Sequence, residues 1–472
     1  MNTTKVRISD WKLSRLTGRS SGEKAAKATQ VAFTFIFICT SAVDCFAQVQ
    51  QAGKHVDAEP DARAQQTLKQ MTLDEKIQLI LGSLGMTLQA NQRPAGVSMG
   101  VGFEAGVARL GIPFLSENDA GLGVANQGGV FRPNDFATAL PSGPSMASTW
   151  DPETIQRAGA MIGFEARAKG YNVLLAGGNN LVREPRGGST LEYMGEDPLL
   201  SGTLAGYIIL GVQSNNIVST VKHYVLNAQE TSRGGLSVNI DEEAMRESDL
   251  LAFELAIEIG NPGSVMCADN RINGVYACEN SFLLNDVLRR DWGYKGWVMS
   301  DCGAVHSVSI RAGLDQESGT RSLANAFFGP RLRDALKAGT VTEDDINKSA
   351  FRVLRTMYSL GVVDHPISGK LPIDFDADGK VAQEVAERGI VLLKNDQHIP
   401  PIAKTAHHIL LVGAHADVGV LGGGGSSQVC AGRRSCPVAP HSGRADVPQT
   451  HVYAFVASHV TSRTFALCDS HV

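Results

Sequence analysis

The sequence is poor in the features that mark several large functional classes. An excess of one charge is missing: 43 Lys and Arg stand against 48 Asp and Glu, a net −5. That balance creates no field to concentrate nucleic acid or an anionic membrane. Beyond the first 43 residues there is no long apolar run, so no later segment is a candidate bilayer span. Cys302, Cys430, Cys436 and Cys468 show no metal-ligand spacing, and the 12 histidines, including His407-His408, do not cluster. The glycines from Gly422 to Gly425 lack the Lys-Ser or Lys-Thr of a phosphate loop and read as a turn. No cofactor or metal is implied.

What is present begins with a leader. Lys5, Arg7, Lys12, Arg15, Arg19, Lys24 and Lys27 precede an apolar run over residues 31–43, and Cys45-Phe46-Ala47 supplies small residues at a cleavage position. Residues 1–47 therefore read as a signal peptide, with the protein periplasmic or secreted and not held at the membrane after cleavage. In an oxidising compartment Cys267 and Cys278 are candidates to pair across a turn-rich segment.

The 472 residues exceed one ordinary core, so two domains are expected. Thr72 and Glu75 predict a capping box that opens a helix over 73–81. Asp151-Pro152 and Asp197-Pro198 predict helix starts, with helices to about Ala168 and Val212. Asp241 opens a long helix to Ile259, Asn280 or Ser281 another toward Arg290, and a further helix spans 343–360 before Gly361. Between them, runs 112–115, 172–175, 217–221, 264–267 and 297–299 suit buried parallel strands. Strand and helix alternating over 300 residues predict a (β/α)8 TIM-like barrel over 48–361. A linker follows at 362–379, then a partial α/β sandwich at 380–429 with strands 390–393 and 408–412. The 430–472 tail loses periodicity abruptly, which predicts a truncated or frame-shifted ending near Val429.

Polar residues follow several of the strands: Asp119, Arg183, Lys222 with His223, Asp269 with Asn270, and Asp301. A barrel gathers such residues at the C-terminal strand ends into one pocket. One Asp after a strand is ordinarily a helix cap, and Lys222 alone would also suit a Schiff base. The surrounding motifs shift that balance toward sugar chemistry. Lys222-His223-Tyr224, Asn227-Ala228-Gln229-Glu230, Asn270-Arg271-Ile272-Asn273-Gly274, Arg183-Glu184-Pro185-Arg186 and Gly296-Trp297-Val298-Met299-Ser300-Asp301 resemble glycoside hydrolase family three. So does Leu191-Glu192-Tyr193-Met194-Gly195-Glu196-Asp197-Pro198, and the similarity covers most of 66–425. Its nearest flavour is the exported bacterial β-glucosidase.

The resemblance implies a retaining, exo-acting β-glucosidase with Asp301 as nucleophile and Asp119, Lys222 and His223 on the sugar hydroxyls. The substrate would be a β-glucoside or oligosaccharide. The chain departs from the family pattern with Cys302 in place of Trp, Ser189 in place of Arg, and Asp269 in place of Tyr. No residue of this sequence matches the family's general acid, whether the Glu of its second domain or the Asp-His pair of another branch, since 226–235 holds no His. A carbohydrate-binding pseudoenzyme is the alternative expectation, and a lyase working through Lys222 a remote one.

Overall fold

The computed structural model describes residues 59–87, 98–126, 132–405 and 423–431. The chain divides after Glu59, and everything below concerns the unit from Pro60 on. The expected leader, strand 408–412 and most of the atypical tail lie outside the described residues.

Eight strands form one sheet that nearly closes on itself. In chain order they are β1 (Leu81–Leu84), β2 (Gly102–Glu104), β3 (Leu115–Asp119), β4 (Val173–Leu175), β5 (Val218–Tyr224), β6 (Ser264–Cys267), β7 (Trp297–Ser300) and β8 (Glu317–Thr320). Neighbours run in sequence order from β1 to β7, and β8 pairs with β1. The seam between β7 and β8 is joined by the Met299/Gln316 bridge, with the Ser300 amide donating to the Gln316 carbonyl at 3.0 Å. The TIM-like barrel expected from the sequence is therefore present. One detail differs: β2 is antiparallel to both neighbours. Only residues 105–114 separate it from β3, and a parallel return needs a crossover of a dozen residues or more, so this short connection brings the chain back reversed.

The helices start where the local chemistry predicts. The Thr72–Glu75 capping box opens Leu73–Leu79, and Asp151 and Asp197 cap Pro152–Lys169 and Pro198–Gln213. Those last two pack closely because each offers glycine: a Cβ on Gly211 would stand 2.2 Å from the Gln156 carbonyl oxygen. Thr342 and Asp345 form a second capping box on Glu343–Ser359. Cys267 and Cys278 form the expected disulfide, with Cα atoms 5.2 Å apart.

Three expectations are corrected. The long helix from Asp241 is two helices, Glu242–Glu247 and Asp249–Gly260, broken at Ser248. The Ser248 hydroxyl donates back to the Ala244 carbonyl at 2.6 Å, a local bond that competes with helix continuation. Helix Phe375–Arg388 begins inside the stretch read as linker, because Asp374 caps it. It also docks on the barrel: Val385 is buried in a cluster with Met146, Ile155 and Ala158, and Arg388 reaches Asp151 at 2.7 Å. Residues 390–393 form no strand ladder among the described residues, and Ile390, Val391, Leu392 and Leu393 are exposed. Segment 423–431 returns to the barrel, where Val429 bridges Ala125 and joins the same cluster as Val385.

Candidate active site

Side chains from four strand ends meet at one rim of the barrel. Asp119 closes β3, Lys222 and His223 stand within the last turn of β5, Asp269 lies two residues beyond β6, and Asp301 directly follows β7. The backbone at Lys222 and His223 is clamped: the Asn179 amide donates to the Lys222 carbonyl at 2.7 Å, and the Asn180 side chain bonds both the amide and the carbonyl of His223. The peptide between Lys222 and His223 is cis.

Lys222 is 2% exposed, so its charge must be matched. Its Nζ donates to Asp119 Oδ1 at 2.8 Å and stands 4.0 Å from Glu192 Oε2. Burial disfavours the ammonium, but Asp119, Glu192 and Asp301 together outweigh it and hold the lysine pKa above its ordinary value. Burial pushes the Glu192 carboxyl upward despite Lys222. His223 is neutral, because burial and the Lys222 and Arg233 charges drive its pKa well below the usual 6.5. Its Nδ1 meets the Tyr193 hydroxyl at 3.2 Å, which turns Nε2 toward Asp301 Oδ2 at 3.8 Å.

Asp301 is held by one oxygen and open at the other. The Cys302 amide donates to Oδ1 at 2.7 Å. Oδ2 is buried without a hydrogen bond, yet faces Arg233 Nη2 at 3.2 Å. A fixed carboxylate whose second oxygen meets only a guanidinium edge and a neutral imidazole suits a nucleophile kept ionised.

Arg233 was not among the residues singled out by sequence. Its guanidinium touches three carboxylates: Asp269 Oδ2 at 2.8 Å, Glu230 Oε2 at 3.1 Å and Asp301 Oδ2 at 3.2 Å. Burial works against its charge, but those three anions raise its pKa. Glu230 is further held by the Ser189 hydroxyl at 3.0 Å and the Asn227 amide at 3.1 Å. Ser189 thus faces this cluster from the position where the family pattern has Arg. The signal available in the sequence was the Glu230-x-x-Arg233 spacing, which begins seven residues after His223. Glu192, buried beside Lys222, was also missed as a site residue.

The other sequence candidates are dispersed. Arg183 forms an ion pair with buried Asp249 at the start of a barrel helix, away from the Asp301 cluster. The Asn270 side-chain amide donates to the Arg271 carbonyl at 3.3 Å. His306 stacks on Tyr276 with ring centroids 3.7 Å apart, the local packing expected of it. Cys302 is an exposed free thiol directly after Asp301, where an aromatic wall was the family expectation. Among the described residues no cluster of three His, Cys, Asp or Glu suits a metal ion, and no helix is long and apolar enough to cross a membrane.

Comparison with known proteins agrees with this geometry. Residues 47–356 match the model of the glycosyl hydrolase family 3 N-terminal domain. The chain is 34% identical over 425 residues to beta-glucosidase B of Emericella nidulans, covering 87% of this chain and 47% of that protein. It is 34% identical over 371 residues to thermostable beta-glucosidase B of Acetivibrio thermocellus, covering 77% and 46%. Among solved structures it is similar to beta-glucosidase 3B from Thermotoga neapolitana in complex with α-D-glucose. That match has a TM-score of 0.70 and 32% identity, over 78% of this chain and 52% of the other. The chain spans about half the length of these relatives.

Proposed function

The chain belongs to glycosyl hydrolase family 3, and from that premise we propose that it is a retaining, exo-acting β-glucosidase that releases terminal β-D-glucosyl residues. The observation that carries the reading is the state of Asp301: Oδ1 fixed by the Cys302 amide, Oδ2 without a hydrogen bond but ion-paired to Arg233 and facing His223. In the first step Oδ2 attacks the anomeric carbon and the bond to the leaving oxygen breaks. Water then releases the glycosyl–Asp301 ester with overall retention. Asp119, on the Lys222 side of the cluster, supplies a buried carboxylate to accept sugar hydroxyls. His223, neutral and ordered by Tyr193, offers a ring nitrogen to the same sugar. The names of the relatives support glucose as the terminal sugar. The basic leader and its apolar run support export, to the periplasm or beyond.

The test is an activated aryl β-glucoside, whose good leaving group needs little proton assistance. The expected result is hydrolysis with a glucosyl adduct found on the peptide carrying Asp301, and loss of roughly 10⁴-fold or more in turnover on Asp301→Asn. One observation favours a second reading, a carbohydrate-binding pseudoenzyme: the exposed Cys302 leaves the sugar without an aromatic wall. Saccharide binding with no adduct on Asp301 would establish that reading instead.

A further inference from the structure

Resting on the β-glucosidase reading and deepening it, we propose that Asn126 determines which sugar is accepted. Its side-chain oxygen takes a hydrogen bond from the hydroxymethyl group of the terminal residue. The ring of strands gives the direction. β3 and β7 stand four places apart in the eight-stranded order, on opposite sides of the barrel mouth. A sugar whose anomeric carbon meets Asp301, directly after β7, therefore turns its far end toward Asp119 and the loop that follows β3.

A cavity opens at that end. Among the described residues its walls include Met86 after β1, Val101 before β2, Asp119 closing β3, and Asn126 and Arg132 on the loop beyond. Its volume of about 20 Å³ admits one water-sized group and no second sugar ring. Arg132 holds the walls together. Its Nε meets Asp135 at 2.6 Å, Nη1 donates to the Met99 carbonyl at 2.8 Å, and Nη2 donates to the Ala125 carbonyl at 2.6 Å.

Asn126 is 2% exposed, and its neighbours fix which way the amide is turned. Nδ2 spends both N–H groups within the loop, on the Arg132 carbonyl at 2.9 Å and the Asp135 carbonyl at 3.0 Å. Oδ1 is buried and has no donor. A buried amide oxygen ordinarily finds a partner, and leaving it without one is unfavourable. A hydroxyl entering the cavity supplies that donor, and Met86 and Val101 offer apolar contact to the carbon that carries it. One acceptor beside an apolar wall, in a space this small, fits a CH2OH group. A pentose, which has no such group, leaves Oδ1 unpaired.

The experiment measures binding of methyl β-glucoside, methyl 6-deoxy-β-glucoside and methyl β-xyloside by titration calorimetry. The Asp301→Asn protein serves as the background, so that turnover does not intervene. It should bind the glucoside about 10- to 100-fold more tightly than either analogue. Adding Asn126→Ala should bring the three affinities within about threefold of one another by weakening the glucoside alone. Because Asn126 also ties two loop carbonyls, a second variant guards against misfolding: Met86→Phe fills the cavity and should weaken the glucoside while sparing the xyloside. Equal binding of the glucoside and its 6-deoxy analogue by the background protein, or a preference that survives both substitutions, would overturn the proposal. A preference that disappears in the variants, with no adduct on Asp301 in the unsubstituted protein, would uphold Asn126 and remove the hydrolase reading. Binding of none of the three sugars would remove both.

Discussion

Replacing Lys222 by Met should cost far more stability than any surface change, because it would leave buried carboxylates without their cation. Lys222 Nζ lies 2.8 Å from Asp119 Oδ1 and 4.0 Å from Glu192 Oε2, with only 2% of the lysine exposed. At an effective dielectric of about 20, a pair at such contact distance attracts by on the order of 6 kcal/mol before desolvation is charged against it. Removing one partner of a buried pair typically costs ~3–5 kcal/mol, since the remaining charge is stranded. Urea denaturation at neutral pH should show the Lys222→Met midpoint falling by that free energy with an unchanged slope. The double variant Lys222→Met with Asp119→Asn should recover part of the loss, because fewer anions are then unpaired. The pH dependence has a definite sign. The lysine pKa is raised in the folded chain, so the stabilisation is complete below the ordinary 10.5 and is lost only as pH climbs through the higher folded value. A Lys222→Met variant within about 0.5 kcal/mol of the parent, the range of surface substitutions, would refute the reasoning.

Two further outcomes follow from other buried groups. The Glu165 carboxyl is raised to about 7, because burial outweighs the Thr138 amide and hydroxyl contacts. The folded chain therefore holds that proton between pH 4.5 and about 7, and the associated stability, full below 4.5, is lost as pH rises through about 7. Glu165→Gln should flatten that slope and leave the variant at least as stable as the parent at alkaline pH, by up to roughly 3 kcal/mol. An unaltered slope in pH-dependent denaturation would count against it. Removing the Cys267–Cys278 disulfide, whose partners are 11 residues apart, should cost roughly 3 kcal/mol by chain entropy. A paired Cys267→Ala and Cys278→Ala variant with an unchanged denaturation midpoint would contradict that figure.

The parts of the fold legible in the sequence were those whose signal is local. Strand 264–267 was found with its boundaries intact because a short, wholly buried apolar run leaves little choice. The helix starts at Thr72, Asp151 and Asp197 were found because a cap side chain and a proline or glutamate act within three residues. β8 escaped because Glu317, Ser318, Gly319 and Thr320 carry no apolar pattern. Its side chains meet polar partners on both faces: Ser318 donates to Glu117, and the Phe328 amide donates to Glu317 at 2.7 Å. β2 escaped for a related reason: three residues paired on both sides need no sequence periodicity. At the site, Asp119, Lys222, His223 and Asp301 were legible because barrel topology alone brings strand ends together. Arg233 was not, because its reach depends on a loop whose backbone turns through positive φ at Leu226 (65°) and Ser232 (57°). Nothing in those two residue types announces that conformation.

The two cations of the site do different work, and their chemistry fits the division. Lys222 is a buried point charge with one strong bond to Asp119. Arg233 is a planar fork, 27% exposed at its side chain, that meets Glu230, Asp269 and Asp301 at once. A planar fork can meet three carboxylates from different nitrogens at once, which a lysine in the same place could not do. Of the two, the arginine is the one on a loop. The strands fix where Asp301 stands, and the loop after the Lys-His pair decides which carboxyl groups it is coupled to. That coupling runs from Asp269 through Arg233 to Asp301.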